Sequence, residues 1–289
     1  MRRASNCMAS LLLLSAALLP ATLEGAVCKS EYKNAPGGLV HTACKPPNRR
    51  CKITSSGLSS SKKTEFLKAH NDYRMKVAKG DLPNFPKAAD MQKLIWDDEL
   101  AEVAQALADQ CTVSNGGIKH DKYDERFTVK FKQVGQNLGW AAASFDDPDV
   151  DVIGQVTRWF NEYQYFNPAG IHSLRHQSGP AVGHFTQVIW AATEAVGCGM
   201  ARYTLQNDRS GTPYQKLYVC NYGPGGNVAR RPIYEAGEPC SKCPQETTCQ
   251  REMGLCASPH DSGGFGASSA SCLALITVAL MVVALPGAG

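Results

Sequence analysis

Three stretches of the chain repeat apolar residues with a helical period. Over 62–79, Phe66, His70, Tyr73 and Val77 fall on one face, and Gly80 closes the run. Over 97–110, Asp97 stands as an N-cap, acidic residues fill the first turn, and Leu100, Val103, Ala104 and Leu107 form a stripe. A third helix is predicted to start at Asp147-Pro148, N-cap then proline at N1, with Val152, Val156, Trp159, Phe160 and Tyr163 on one face. After Pro180 the pattern changes. Residues 184–190, 195–205 and 216–221 are short runs rich in β-branched and aromatic residues, and they read as strands. Residues 26–60, rich in Gly, Pro, Ser and Cys without a sustained period, read as a disulfide-pinned loop segment. Helices first and a small antiparallel sheet last predict a layered α+β domain.

Composition narrows the compartment more than the chemistry. The 289 residues are 43% hydrophobic and 19% charged, which excludes the disordered and collagen-like classes. Basic residues number 30 against 26 acidic, and without Arg2, Arg3 and Glu24 of the removable leader they are 28 against 25. That balance, with no Lys/Arg run longer than two, argues against nucleic acid as a partner. Of the twelve cysteines, Cys7 and Cys272 fall in terminal segments; ten remain from Cys28 to Cys256, an even number that fits a disulfide framework in an oxidising compartment. No N-x-S/T sequon occurs.

The two ends read as targeting segments. Arg2, Arg3, an apolar run over 11–19 and small residues make 1–25 a signal peptide, cleaved between Gly25 and Ala26. No charge occurs over 263–289, and 273–285 is apolar apart from Thr277, too short to span a bilayer. With Ser262, Gly263 and Gly264 as the small acceptor residues and 265–272 as spacer, the expectation is a linker and GPI-attachment signal over 259–289.

Single motifs carry little chemistry. His172 and His176 have zinc-helix spacing, but Ser173 replaces the glutamate of H-E-x-x-H and surrounding Pro and Gly make the segment a loop. Gly223-Pro224-Gly225-Gly226-Asn227 lacks the Lys-Ser/Thr of a phosphate loop, Gly197-Cys198-Gly199-Met200-Ala201-Arg202 misses the last glycine of a dinucleotide fingerprint, and no G-x-S-x-G occurs. Cys240, Cys243, Cys249 and Cys256 read as two staples of a miniature module rather than a redox or zinc site, with their pairing open.

Longer motifs name a family. Gly183-His184-Phe185-Thr186-Gln187-Val188-Ile189-Trp190 resembles one signature of the CAP superfamily (cysteine-rich secretory proteins, antigen 5 and pathogenesis-related 1), and Tyr218-Val219-Cys220-Asn221-Tyr222-Gly223-Pro224-Gly225-Gly226-Asn227 resembles a second. His70-Asn71-Asp72-Tyr73-Arg74 and Gly135-Gln136-Asn137-Leu138 resemble two shorter ones. The segment Gly37-Gly38-Leu39-Val40-His41-Thr42-Ala43-Cys44-Lys45 is similar to arthropod venom allergen 5 proteins. The resemblance implies a three-layer α-β-α sandwich over 61–230, preceded by the cysteine-containing extension 26–60 and followed by a cysteine-rich hinge-like module over 231–258. It also implies the disulfides Cys28 with Cys44, Cys51 with Cys111, and Cys198 with Cys220.

The family's central cleft holds two His and two Glu, and in some members the His pair binds a divalent metal. Carried over by position, these are His120, His184 and Glu162, with Gln136 where the second Glu would stand. A neutral amide at 136 can hydrogen-bond but cannot act as a base, which weakens paired-carboxylate catalysis. The expected function is an extracellular, non-enzymatic binding protein, secreted or GPI-anchored and monomeric. Its partner would be a sterol or fatty acid, or a cell-surface or host protein. One zinc-like divalent ion at His120 and His184, and no organic cofactor, is implied. The alternative is a metal-assisted or His-dependent peptidase with His184 or His120 as base and Glu162 orienting it.

Overall fold

A computed structural model of the protein describes residues 28–259 apart from 47, 50, 112, 115–116 and 206–210. The expected signal peptide and, but for Pro259, the expected linker and GPI-attachment signal lie outside the described residues. Among the described residues there are four α-helices: α1 Ser60–Ala78, α2 Asp98–Ala108, α3 Val152–Phe160 and α4 Gly183–Val188. The strands are β1 Cys51–Ser56, β2 Ile95–Trp96, β3 Val113–Ser114, β4 Gly117–Ile118, β5 Gly135–Ala143, β6 Ala195–Leu205, β7 Tyr214–Gly223, β8 Thr248–Gln250 and β9 Leu255–Ala257.

Local chemistry sets the helix ends. The Ser59 hydroxyl accepts from Lys62 N and starts α1, which ends at Gly80 with φ +79°. Asp97 caps α2 through Leu100 N at 2.8 Å, as the sequence predicts. The third helix begins later than Asp147-Pro148 because Asp151 is its cap, accepting from Gly154 N at 2.7 Å. Asp147 is engaged elsewhere, taking an ion pair from Lys216. Residues 184–190 are not a strand. Gly183–Val188 is helical, burying Phe185 and Val188 on one side. The 26–60 segment is not all loop either, since β1 lies within it.

The main sheet runs in the order β1-β6-β7-β5, all antiparallel, while β2 adds in parallel to the first residues of β6. Strand alternation divides the core. Val196, Cys198, Met200, Tyr218, Cys220 and Tyr222 pack towards α1, α3 and α4; Ala201, Tyr203, Leu217 and Val219 pack with Ala104, Leu107 and Ala108 of α2. The result is three layers, helix on sheet on helix. Two glycines set the spacing of α2: a methyl group at Gly197 would lie 2.2 Å from Ala101 N, and one at Gly199 2.4 Å from the Gln105 Cα.

Arg74 on α1 ties the layer together. Its side chain is fully buried, and all five donors reach main-chain carbonyls: Nε to Gln92, one terminal nitrogen to Val188 and Trp190, the other to Ala191 and Thr193. The chain leaving α4 is thereby pinned beneath the sheet.

Among the described residues five disulfides form: Cys28–Cys44, Cys51–Cys111, Cys198–Cys220, Cys240–Cys249 and Cys243–Cys256. In the N-terminal segment, Tyr32 stacks on buried His41 at 3.8 Å and donates to Glu99 of α2 at 2.6 Å. In the C-terminal module, Cys256 N donates to Met91 O and Lys93 N to Cys256 O, so the β8–β9 hairpin is seated on the domain. Among the described residues no helix is long and apolar enough to cross a membrane.

Candidate functional site

One end of β5, the loop after β7, the start of α4 and the loop after β4 enclose a cleft of about 570 Å³. Its walls include His120, Asp121, Arg126, Gln136, Asn137 and His184. Gly135 keeps the floor low, because a methyl group there would sit 2.0 Å from the Gln187 Oε1 that accepts from Gly226 N. The sequence-predicted residues His120, Gln136, Glu162 and His184 are brought to this one place from a loop, a strand, a 3₁₀ turn and a helix.

Glu162 sits in the 3₁₀ turn Asn161–Tyr165 that follows α3. Its Oε1 meets His184 Nδ1 at 2.6 Å, and its Oε2 accepts from the main-chain N–H groups of His184 and Phe185 at 3.0 and 3.2 Å. One carboxylate therefore orients the imidazole and caps the first turn of α4, whose own N-cap residue supplies no side-chain bond. Nε2 of His184 is left as the nitrogen available to a ligand.

His120 is held by an analogous contact of different polarity. Its Nδ1 meets Gln136 Oε1 at 2.7 Å. The Gln136 amide nitrogen donates to Asp121 Oδ1 and to Asn221 Oδ1, each at 3.0 Å. His120 is exposed to solvent. Enclosure of the ring by the cleft walls nonetheless lowers its pKa below the usual imidazole value; Arg126 and His184 act in the same direction, while the Gln136 bond and Asp121 oppose them. The shift favours the neutral ring, which keeps a lone pair on one nitrogen.

Beneath the cleft runs a buried polar chain. His70 Nδ1 donates to Phe66 O at 2.8 Å, which leaves Nε2 to accept from Tyr222 OH at 2.9 Å. Burial lowers the His70 pKa to about 4 and raises that of Tyr222. Asn137 donates to the Tyr222 hydroxyl and to His184 O, each at 3.1 Å. Asn137 and Asn221 stand inside motifs visible in the sequence, whereas the parts played by Asp121 and Arg126 had no sequence signal. His172 ends a 3₁₀ turn, His176 follows in a loop, and neither lines the cleft. The sulfurs of Cys240, Cys243 and Cys256 lie close together, but each is in a disulfide.

Two imidazoles in one cleft, each with Nδ1 fixed by a side-chain oxygen, suit a divalent cation bound through Nε2. Metal-binding histidines are held in this way by an outer acceptor. A carboxylate–imidazole pair is also the orienter and base of many hydrolytic sites.

Comparison with known proteins gives the family. Residues 67–222 match the CAP family, described as the cysteine-rich secretory protein family. The chain is 41% identical over 234 residues to a CRISP/Allergen/PR-1 protein of Trittame loki, covering 80% of this chain and 54% of that one. It is 37% identical to a venom allergen 5 of Tityus serrulatus (77% and 54% covered) and 36% identical to a venom allergen 5 of Polybia scutellaris rioplatensis (68% and 94%). The chain thus spans about half the length of the first two relatives. Among solved structures, Na-ASP-1 superposes with a TM-score of 0.56 at 28% identity, covering 73% of this chain and 52% of that one. NaASP2, in a crystal structure described as with Zn²⁺, gives 0.53 at 32%, covering 69% and 97%. The chain belongs to the CAP, or cysteine-rich secretory protein, family, and is similar within it to the arthropod venom allergen 5 proteins.

Proposed function

We propose that this protein is an extracellular binding protein whose cleft holds a divalent cation between Nε2 of His120 and Nε2 of His184 and offers that cation to a protein partner. The observation that carries the reading is the pair of anchored imidazoles: both Nδ1 atoms are occupied by side-chain oxygens within one cleft. A cation held there supplies a Lewis-acid site with open positions. Two histidines leave the remaining coordination to water or to a carboxylate brought by the partner. The solved relative described with Zn²⁺ supports zinc as the ion. The disulfides support an extracellular setting.

The lining favours a protein over a lipid. At about 570 Å³ the cleft is within the usual ligand-pocket range of roughly 300–1,000 Å³, yet apart from Tyr123, Ala181 and three glycines its walls are His, Asp, Lys, Arg, Gln and Asn. A sterol or fatty acid needs apolar walls. A second cavity includes Ala141, Phe145 and Tyr214 but also Asp146, Asp147, Arg202 and Lys216, and it measures about 200 Å³.

Calorimetric titration with Zn²⁺ tests the reading. Equimolar binding by the wild type, lost in His120→Ala and in His184→Ala, is the expected result; binding that survives both substitutions rejects it. The peptidase alternative is favoured by the 2.6 Å His184–Glu162 contact. It requires peptide turnover that His184→Ala abolishes in a protein that still folds.

A further inference from the structure

We infer that Asp121 is a positioning residue for His120, acting through Gln136 to decide which ring nitrogen carries the proton. The inference rests on the divalent-cation reading of that cleft and deepens it.

The two imidazoles are anchored by different chemistry. Glu162 has only acceptor oxygens, so the proton of His184 facing it must sit on Nδ1 whichever way the carboxylate turns. Gln136 has no such fixed polarity. An amide can present either its oxygen or its NH₂ to a ring nitrogen, and the two choices specify opposite tautomers. With Oε1 towards His120, Nδ1 carries the proton and Nε2 keeps its lone pair for a cation. With the NH₂ there, Nδ1 accepts, Nε2 carries the proton, and the cleft-facing nitrogen cannot ligate.

Asn221 cannot make that choice by itself. It is also an amide, and reversing both side chains together preserves their mutual bond while giving up only a 3.4 Å contact from Asn221 to Leu100 O. Asp121 is not reversible. Its Oδ1 accepts from the donor-only guanidinium of Arg126 at 3.1 Å and from Gln136 at 3.0 Å, and its Oδ2 accepts from the Thr42 hydroxyl at 2.6 Å. Asp121 and Arg126 are both buried, and Arg126 is itself fixed by bonds to Asp121 O and Val134 O. Polarity therefore passes in one direction, from Arg126 to Asp121 to Gln136 to His120. This chain does with an amide what a carboxylate at 136 would do directly.

The test is the tautomer of His120, read from long-range ¹H–¹⁵N correlation of the ring in the disulfide-bonded, metal-free protein at neutral pH, together with Zn²⁺ titration. The wild type should show the proton on Nδ1; a proton on Nε2 overturns the inference without any variant. In Asp121→Ala the proton should move towards Nε2 and Zn²⁺ affinity should fall by about 10–100-fold, the usual effect of losing an outer partner. The double variant D121A/Q136E should restore both, because a carboxylate at position 136 accepts from His120 without an anchor. A tautomer unchanged in Asp121→Ala, or a double variant without the Nδ1 proton, overturns it. Should the wild type bind no Zn²⁺, the cation reading fails while the tautomer still decides this one.

Discussion

Glu162 grips His184 twice, by the ring and by the main chain: one oxygen lies 2.6 Å from Nδ1 and the other accepts from the amide of the same residue at 3.0 Å. Ring orientation and helix start are therefore a single interaction. Glu162→Ala should lower stability by about 1–3 kcal/mol through the lost cap and charge-assisted bonds. It should also weaken Zn²⁺ binding by about 10–100-fold. Glu162→Gln, which keeps one acceptor, should fall between the two. Denaturant melts and Zn²⁺ titrations of the three proteins check this; equal zinc affinity in all three would remove Glu162 from the site.

His70 gives a pH dependence of definite sign. Its pKa is about 4 when folded, because burial disfavours the charge, against an ordinary value near 6.5 when unfolded. Between those values the unfolded chain binds a proton that the native state refuses. Stability is therefore full above about pH 6.5 and falls on acidification by up to ~1.4 kcal/mol per pH unit for this group, levelling near pH 4. His41 and His120, also lowered by burial, add in the same direction. Urea melts from pH 7.5 to 4.5 should show the decline, and His70→Gln should flatten it by one proton; an unaltered slope in that variant refutes the assignment.

Arg74 cannot be replaced conservatively. Lysine offers three donors from one point, against five fixed donors serving five carbonyls. Arg74→Lys should cost about 3–5 kcal/mol, as for the loss of other buried charged networks. Thermal melting checks the value, and a loss near zero would show that the loop over 188–193 is held by something else.

Cys198 and Cys220 are directly paired across β6 and β7 and bonded to each other. Replacing both by serine should destabilise the domain by about 2–5 kcal/mol. Unchanged melting would mean that sheet pairing alone suffices there.

Much of this architecture is legible from the chain, with errors that have local causes. Helix α2 follows from Asp97 and its stripe because cap, first-turn charge and periodicity agree. Asp147-Pro148 imitates a helix start, but Lys216, distant in sequence, claims Asp147, and Asp151 caps instead. The run 184–190 has strand composition, yet it folds as α4 because Glu162 caps it from another element and Arg74 binds the carbonyls that follow. Strand β5, with two Gly and three Ala in nine residues, has little β propensity and exists through its pairing with β7 along its whole length. His120, Gln136, Glu162 and His184 could be grouped only by family resemblance. Asp121 and Arg126 were hidden because their importance lies in contacts with Gln136, Thr42 and Val134, which no local pattern reveals.

The central claim is that the two cleft histidines are the cation ligands. X-ray absorption at the zinc edge, on protein loaded with one equivalent of Zn²⁺, tests it most directly. The account predicts two imidazole nitrogens at about 2.0–2.1 Å with the remaining ligands oxygen. A shell of sulfur at about 2.3 Å, or a spectrum unchanged in the His120→Ala/His184→Ala double variant, would contradict it.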